Sequence, residues 1–168
     1  MKFKSKTKEL KDVILSVSRA VDVKPSTPSL QGLYIKVEDG SCEVVGSDLV
    51  LVIKARLNVE SMVDGECLVS SRVLSEVVRK MAPGEVVFSD LGSEVMVETE
   101  KSEYKLRKLD HLTYPKALLE NSYEEENSQE LEPTELFTAL RKVGIAASPE
   151  GGKPILTGVY FDNTEEKT

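Results

Sequence analysis

The sequence predicts an α+β fold: a domain made of two successive βαβββ units, followed by the start of a second copy of that domain. Two observations predict it. The order strand, helix, three strands occurs between residues 2 and 59 and again between 65 and 109. A shift of 126 positions then maps Glu9-Leu10 onto Glu135-Leu136, Ile14 onto Leu140 and Val17 onto Val143. The same shift carries Pro28, Leu30, Gly32 and Tyr34 to Pro154, Leu156, Gly158 and Tyr160, so helix, loop and following strand keep register. Composition permits such a fold: 168 residues, 40% hydrophobic and 30% charged, bury a real core without disulfide or metal support.

Each element has its own warrant. Residues 2–6 read as a short strand. From Lys8 to Val21, Leu10, Val13, Ile14, Val17, Ala20 and Val21 follow helical spacing, and the loop with Pro25 and Pro28 stops the helix. Leu30–Val37, Cys42–Val45 and Leu49–Val59 are β-rich runs separated by turns at Asp39-Gly40 and Gly46-Ser47-Asp48. Gly65–Val69 opens the second unit. Ser70 or Ser71 caps a helix through Met81, with Val73, Leu74, Val77 and Val78 on one face and Pro83-Gly84 behind it. Val86–Ser89, Glu94–Glu98 and Glu103–Leu109 complete the unit. The two helices, 8–21 and 71–81, are expected side by side and antiparallel on one face of the sheets.

The domains read as 1–116, an acidic linker at 117–132, and 133–168 as the truncated start of the second domain. From Ala117 through Leu140 there are seven acids and no Lys or Arg, the pattern of a solvated linker. The chain stops at Thr168 just after the first strand of its second copy, so it reads as an N-terminal portion. Without a long apolar run or a signal peptide, it reads as cytoplasmic, with no membrane partner.

Catalytic signatures are missing. Cys42 and Cys67 lie far apart in apolar runs, which suits reduced core thiols rather than metal ligands, and no metal or cofactor is expected. His111 has no catalytic company. The stretch Ala147–Pro154 approaches a phosphate-binding loop, but it lacks the first glycine and has Pro154 where Ser or Thr would hold magnesium. It also follows a helix, whereas such a loop follows a strand. Cations collect instead on the N-terminal segment, the helices and the loops behind them: Lys2, Lys4, Lys6, Lys8, Lys11, Arg19 and Lys24 against Glu9, Asp12 and Asp22, then Arg72, Arg79 and Lys80 against Glu76, then Arg141 and Lys142. Each helix alone would be a solvated face. Equivalent basic helices in a repeated domain can face a phosphate backbone, and without a recognition helix or stacking aromatics the contact would ignore sequence.

Several segments resemble, in family order, the bacterial sliding clamp, the beta subunit of DNA polymerase III. They are Met1-Lys2-Phe3, Lys24 through Gly32, Ser47-Asp48-Leu49, Leu68 through Arg72, Met81-Ala82-Pro83-Gly84, Tyr114-Pro115 and Leu156 through Phe161. The resemblance implies a clamp-fold, three-domain protomer, two of which close into a homodimer ring around duplex DNA. Helices line the channel, and the ring is a processivity factor for the replicative polymerase, loaded by a clamp loader, with no catalysis of its own. It places Lys24 and Lys153 in DNA-contacting loops and Arg72, Arg79, Lys80, Arg141 and Lys142 on channel helices. It gives Tyr104 and Leu106 to the ring interface, where both are expected to be exposed in this chain. Glu94, Glu98 and Glu103 stand where some relatives have basic residues, so interface charge pairing differs here. The third-domain wall of the family's peptide-docking pocket lies beyond Thr168. Two rivals are carried: a clamp-like adaptor without a DNA role, and a nucleotide-binding enzyme using the Gly152-Lys153 loop.

Overall fold

β1 (Lys2–Lys6) runs straight into α1 (Thr7–Val17), and a 3-10 turn at Ser18–Ala20 ends the helical segment. The computed structural model describes residues 1–22, 25, 27–119, 131–150 and 152–162. A second 3-10 turn, Pro28–Gln31, leads into β2 (Gly32–Glu38), β3 (Ser41–Ser47), β4 (Val52–Asn58) and a short β5 (Glu60–Val63). Then come β6 (Gly65–Ser70), α2 (Ser71–Lys80), β7 (Glu85–Asp90), β8 (Glu94–Thr99) and β9 (Ser102–Leu109). The chain divides into two compact units, Met1–Asn121 and Ser122–Thr168.

In the first unit all neighbouring strands are antiparallel, in the order β4-β3-β2-β6-β9-β8-β7-β1-β5. The order interlocks the two βαβββ units. β6, the first strand of the second unit, pairs with β2 of the first, and β1 pairs with β7 of the second. The two parts of the sheet, β4-β3-β2-β6 and β9-β8-β7-β1-β5, meet through Leu68 opposite Leu109 and Val69 opposite Lys108. Each βαβββ unit thus lends its first strand to the other's strands, so the two form one interlocked sheet domain.

The helices share one sheet face. Leu10, Ile14 and Val17 from α1, and Leu74, Val77 and Val78 from α2, join one core with Ile35, Val37, Val44, Cys67, Val69, Phe88, Val95 and Val97. Phe3 and Phe88 stack at 5.1 Å between β1 and β7. The helices run antiparallel. Thr7, opening α1, donates its N–H to the carbonyl of Gly84 beyond the end of α2 at 2.9 Å, while Ser18 past the other end of α1 meets Ser75 within α2 at 2.7 Å.

Three local expectations need correction. β3 continues to Ser47, and Leu49–Leu51 form a turn rather than the start of a strand. Asp48 Oδ1 accepts the N–H groups of Val50 and Leu51, which closes the turn and holds Leu49 at φ +77°. The run to Val59 ends as β4 at Asn58, and an additional strand not expected from the sequence, β5, follows it and pairs with β1, Lys4 standing opposite Glu60. Finally, α1 stops at Val17 and tightens into the 3-10 turn, where the hydroxyl of Ser18 bonds back to the carbonyl of Ile14 at 2.6 Å.

The second unit contains α3 (Pro133–Val143) and 3-10 turns at Gly144–Ala146 and Pro154–Leu156. These repeat α1 and the turns at Ser18 and Pro28 at a shift of 126. Glu132 caps α3 by accepting the N–H of Thr134 at 2.7 Å. The first strand expected in the second copy, behind the Pro154 loop, is not formed among the described residues. A strand exists through its ladder, and β2, the equivalent in the first unit, has β3 and β6 beside it. The described part of the second unit holds no strand to pair with, so Leu156, Tyr160 and Phe161 stay exposed. No helix among the described residues is long and apolar enough to cross a membrane.

Candidate nucleic-acid interface

Burying one stripe of α1 and α2 leaves their opposite faces outward. On α1, Lys8, Glu9 and Asp12 are exposed and Lys11 is half-buried, with Arg19 exposed on the turn that follows. On α2, Arg72, Glu76, Arg79 and Lys80 are exposed. Ser70 caps α2 by accepting the N–H of Val73, which fixes where the helix begins and hence which residues face out.

Several strand cations are ion-paired, whereas, among the described residues, those of α2 are not. Lys4 meets Glu85 at 2.8 Å, Arg56 meets Glu43 at 2.8 Å, and Lys108 meets Asp90 at 2.8 Å. Lys36 reaches Glu38 at 2.7 Å and Lys105 reaches Glu103 at 3.2 Å. Glu66, Lys36, Glu43 and Arg56 form a row of alternating sign across β6, β2, β3 and β4. Among the described residues Arg72, Arg79 and Lys80 have no such partner, although Glu76 lies on the same helix. The helix dipole gives Arg79 and Lys80 a structural reason for standing in the last turn of α2, and likewise Arg141 and Lys142 in α3. Arg72 has none. It sits in the first turn, where the dipole favours an anion, and its charge is there at a cost to the helix.

The remaining expected residues are placed as follows. Lys24 lies outside the described residues. Arg141, Lys142 and Lys153 are exposed in the second unit, Lys153 just before the turn at Pro154. In the loop that approached a phosphate cradle, the N–H of Ser148 bonds to the carbonyl of Leu156 at 2.9 Å, and that of Glu150 to Ser148 Oγ at 3.1 Å. Two of the loop's backbone donors are thus already engaged within the chain. Cys42 and Cys67 are free and buried, with thiols pushed up to about 12 by burial, unlike reactive or metal-binding sulfurs. No metal-ligating cluster occurs among the described residues.

The apolar pair Tyr104 and Leu106 is not exposed as expected. Leu106 stands opposite Val95 and Tyr104 opposite Val97, and both valines are fully buried. Residues paired in register share a face, so both side chains point into the core; Leu106 is 6% exposed and Tyr104 half-buried. What β9 does offer is backbone. Its residues 102–107 pair with β8 alone, leaving the other edge without a ladder partner among the described residues. Beside that edge, Glu98 and Glu103 stand directly opposite each other.

Comparison with known proteins fits this architecture. Residues 1–119 match the family model of the DNA polymerase III beta subunit, N-terminal domain. The beta sliding clamp of Micrococcus luteus is 30% identical over 164 residues, covering 96% of this chain and 51% of its own length. That of Streptomyces coelicolor is 30% identical over 165 residues, covering 96% of this chain and 42% of its own length. The chain thus spans about half, or somewhat less, of the curated relatives it matches. The crystal structure of the Bacillus subtilis sliding clamp superposes with a TM-score of 0.81 at 26% identity, covering 94% of this chain and 43% of that one. A Helicobacter pylori beta clamp bound to a DNA ligase peptide shares the fold, with a TM-score of 0.73 at 14% identity, covering 91% of this chain and 42% of that one. With two interlocked βαβββ units and both helices on one face, the chain belongs to the DNA polymerase III beta subunit family, residues 1–119 being its N-terminal domain.

Proposed function

We propose that the chain works in DNA replication as the N-terminal part of a sliding clamp in the cytoplasm. This processivity factor would hold a replicative polymerase on duplex DNA and catalyse no reaction itself. Residues 1–116 form its first clamp domain, 117–132 the linker and 133–168 the start of a second. The observation that carries the DNA-facing assignment is the pairing contrast. Lys4, Lys36, Arg56, Lys105 and Lys108 on the strands meet carboxylates, while Arg72, Arg79 and Lys80 project together from α2 without a described partner, a state shared on the strands by Lys2 and Arg107. Phosphates along the duplex supply the missing charge, with Lys24, Arg141, Lys142 and Lys153 as further contacts. Because a backbone contact carries no base information, the grip is independent of sequence and permits sliding.

Ring closure with a second protomer is assigned to the free backbone edge of β9 at 102–107, where Tyr104 is the half-buried apolar contact and Leu106 supports it from the core. Polymerase and clamp loader are the partner proteins, a reading that rests on membership of the DNA polymerase III beta subunit family. The test is anisotropy of two labelled duplexes of unrelated sequence across a salt series. Both should bind equally and weakly, with a dissociation constant of roughly 10⁻⁴ M. Replacing Arg72, Arg79 and Lys80 by Ala should lower the slope of log affinity against log salt by about 0.9 for each phosphate no longer neutralised. Sequence-dependent binding, or a slope unchanged in the triple variant, overturns the assignment.

A further inference from the structure

After β9 the chain turns back over the sheet face that carries no helix. Asp110 caps a 3-10 turn at His111–Thr113, Tyr114 and Pro115 follow, and a further turn spans Lys116–Leu118. The Tyr114 ring is 2% exposed and stacks on Tyr34, with centroids 5.5 Å apart and planes inclined by 29°. Leu30, Val45 and Leu68 complete a small second core around the two rings, with Leu118 and Leu119 packed against it.

The backbone hydrogen bonds of this segment are its own. Leu112 N–H goes to Asp110 Oδ1, Tyr114 N–H to the His111 carbonyl, Leu118 N–H to that of Pro115 and Leu119 N–H to that of Lys116. Its polar ties to the sheet domain are slight: Ser29 Oγ donates to the Thr113 carbonyl at 3.0 Å, and His111 Nε2 stands 3.5 Å from Glu66. Glu66 also accepts the hydroxyl of Tyr34. One group is mismatched. The Tyr114 hydroxyl is buried and has no hydrogen-bond partner among the described residues.

We propose that Asp110–Leu119 is a detachable strap, which lifts from the sheet as a unit while the nine strands remain paired. Lifting breaks no ladder, since the segment keeps its internal turns. It returns the Tyr114 hydroxyl to water, which offsets part of the cost of exposing the apolar side chains and poises the strap toward opening. Opening uncovers an apolar groove floored by Leu30, Tyr34, Val45 and Leu68 and releases the point from which the connector leaves the first unit. This inference does not depend on the DNA-facing assignment.

Native-state hydrogen exchange on the whole chain tests it. The amides of Tyr114, Leu118 and Leu119 should exchange through an opening that depends little on denaturant. Those of Ile35, Val44 and Cys67 should require global unfolding. Tyr114→Phe keeps the ring and deletes the mismatched hydroxyl, so it should slow the strap amides by about tenfold and leave the others unchanged. Tyr114→Ala should speed the strap amides in a protein that still shows its β-sheet circular dichroism. The proposal is overturned if strap and strand amides exchange together with one denaturant dependence, or if Tyr114→Phe speeds the strap. Loss of the sheet in Tyr114→Ala overturns it too, because the segment would then be core.

Discussion

At Gly46 β3 passes close to the end of α1, and replacing this residue by Ala tests how tightly the helix is set on the sheet. A Cβ there would lie 2.8 Å from the carbonyl oxygen of Val17, 2.9 Å from Val17 Cγ1 and 3.0 Å from Val21 Cγ2. The two methyl groups can turn aside. The carbonyl cannot, because it belongs to the last residue of α1, so the helix must lift from the sheet. Overpacking of this kind costs about 1–3 kcal/mol. For a domain of this size that corresponds to a fall in melting temperature of roughly 3–12 °C. Urea unfolding should show a lower midpoint with an unchanged slope, since the exposed area on unfolding is the same. Gly92→Ala is the control: φ there is +95° with nothing within 4 Å of the new Cβ, so only backbone strain of about 1 kcal/mol is added. A melting temperature for Gly46→Ala within about 1 °C of the parent, equivalent to roughly 0.3 kcal/mol or less, would refute the close seating of α1.

Further outcomes follow from charge. Burial pushes the thiols of Cys42 and Cys67 up to about 12, well above the usual value near 9. The unfolded thiols therefore release their protons first. Their stabilising contribution is full below about pH 9 and is lost as pH rises toward 12, at up to about 1.4 kcal/mol per pH unit for each group. Denaturation curves from about pH 8 to 11 should show this decline, flattened in a Cys42→Ala/Cys67→Ala variant; an unchanged decline would contradict it. Glu98→Lys should stabilise the first unit by about 0.5 kcal/mol, because it replaces a like-charge pair with Glu103 by an opposite pair. Equal or lower stability in urea would count against that pairing.

Much of this fold is legible in the amino-acid order, and what is not has identifiable causes. The spacing of Leu10, Ile14 and Val17, and of Leu74, Val77 and Val78, marks the buried stripes because a helix returns to one face every three or four residues. β5 escapes such reading: Glu60-Ser61-Met62-Val63 shows no alternation, and its partner β1 lies at the other end of the unit. Leu49, Val50 and Leu51 look like strand residues by apolarity, yet the side chain of Asp48 closes a turn beneath them. Tyr104 and Leu106 show the limit of alternation, which tells that two residues share a face but not that Val95 and Val97 bury it. The site is less legible still. Counting cations finds the helices, but only geometry shows that Arg56 and Lys108 are matched while Arg72 is not.

Amide chemical-shift mapping with duplex DNA tests the central claim most directly. Titration at low salt should perturb the outward faces of α1 and α2, above all around Lys8, Arg19, Arg72, Arg79 and Lys80, identically for two unrelated sequences. Glu43, Arg56 and Lys36 on the sheet face away from the helices should stay unperturbed. Shifts confined to that sheet face, or present with only one of the two sequences, would contradict the account.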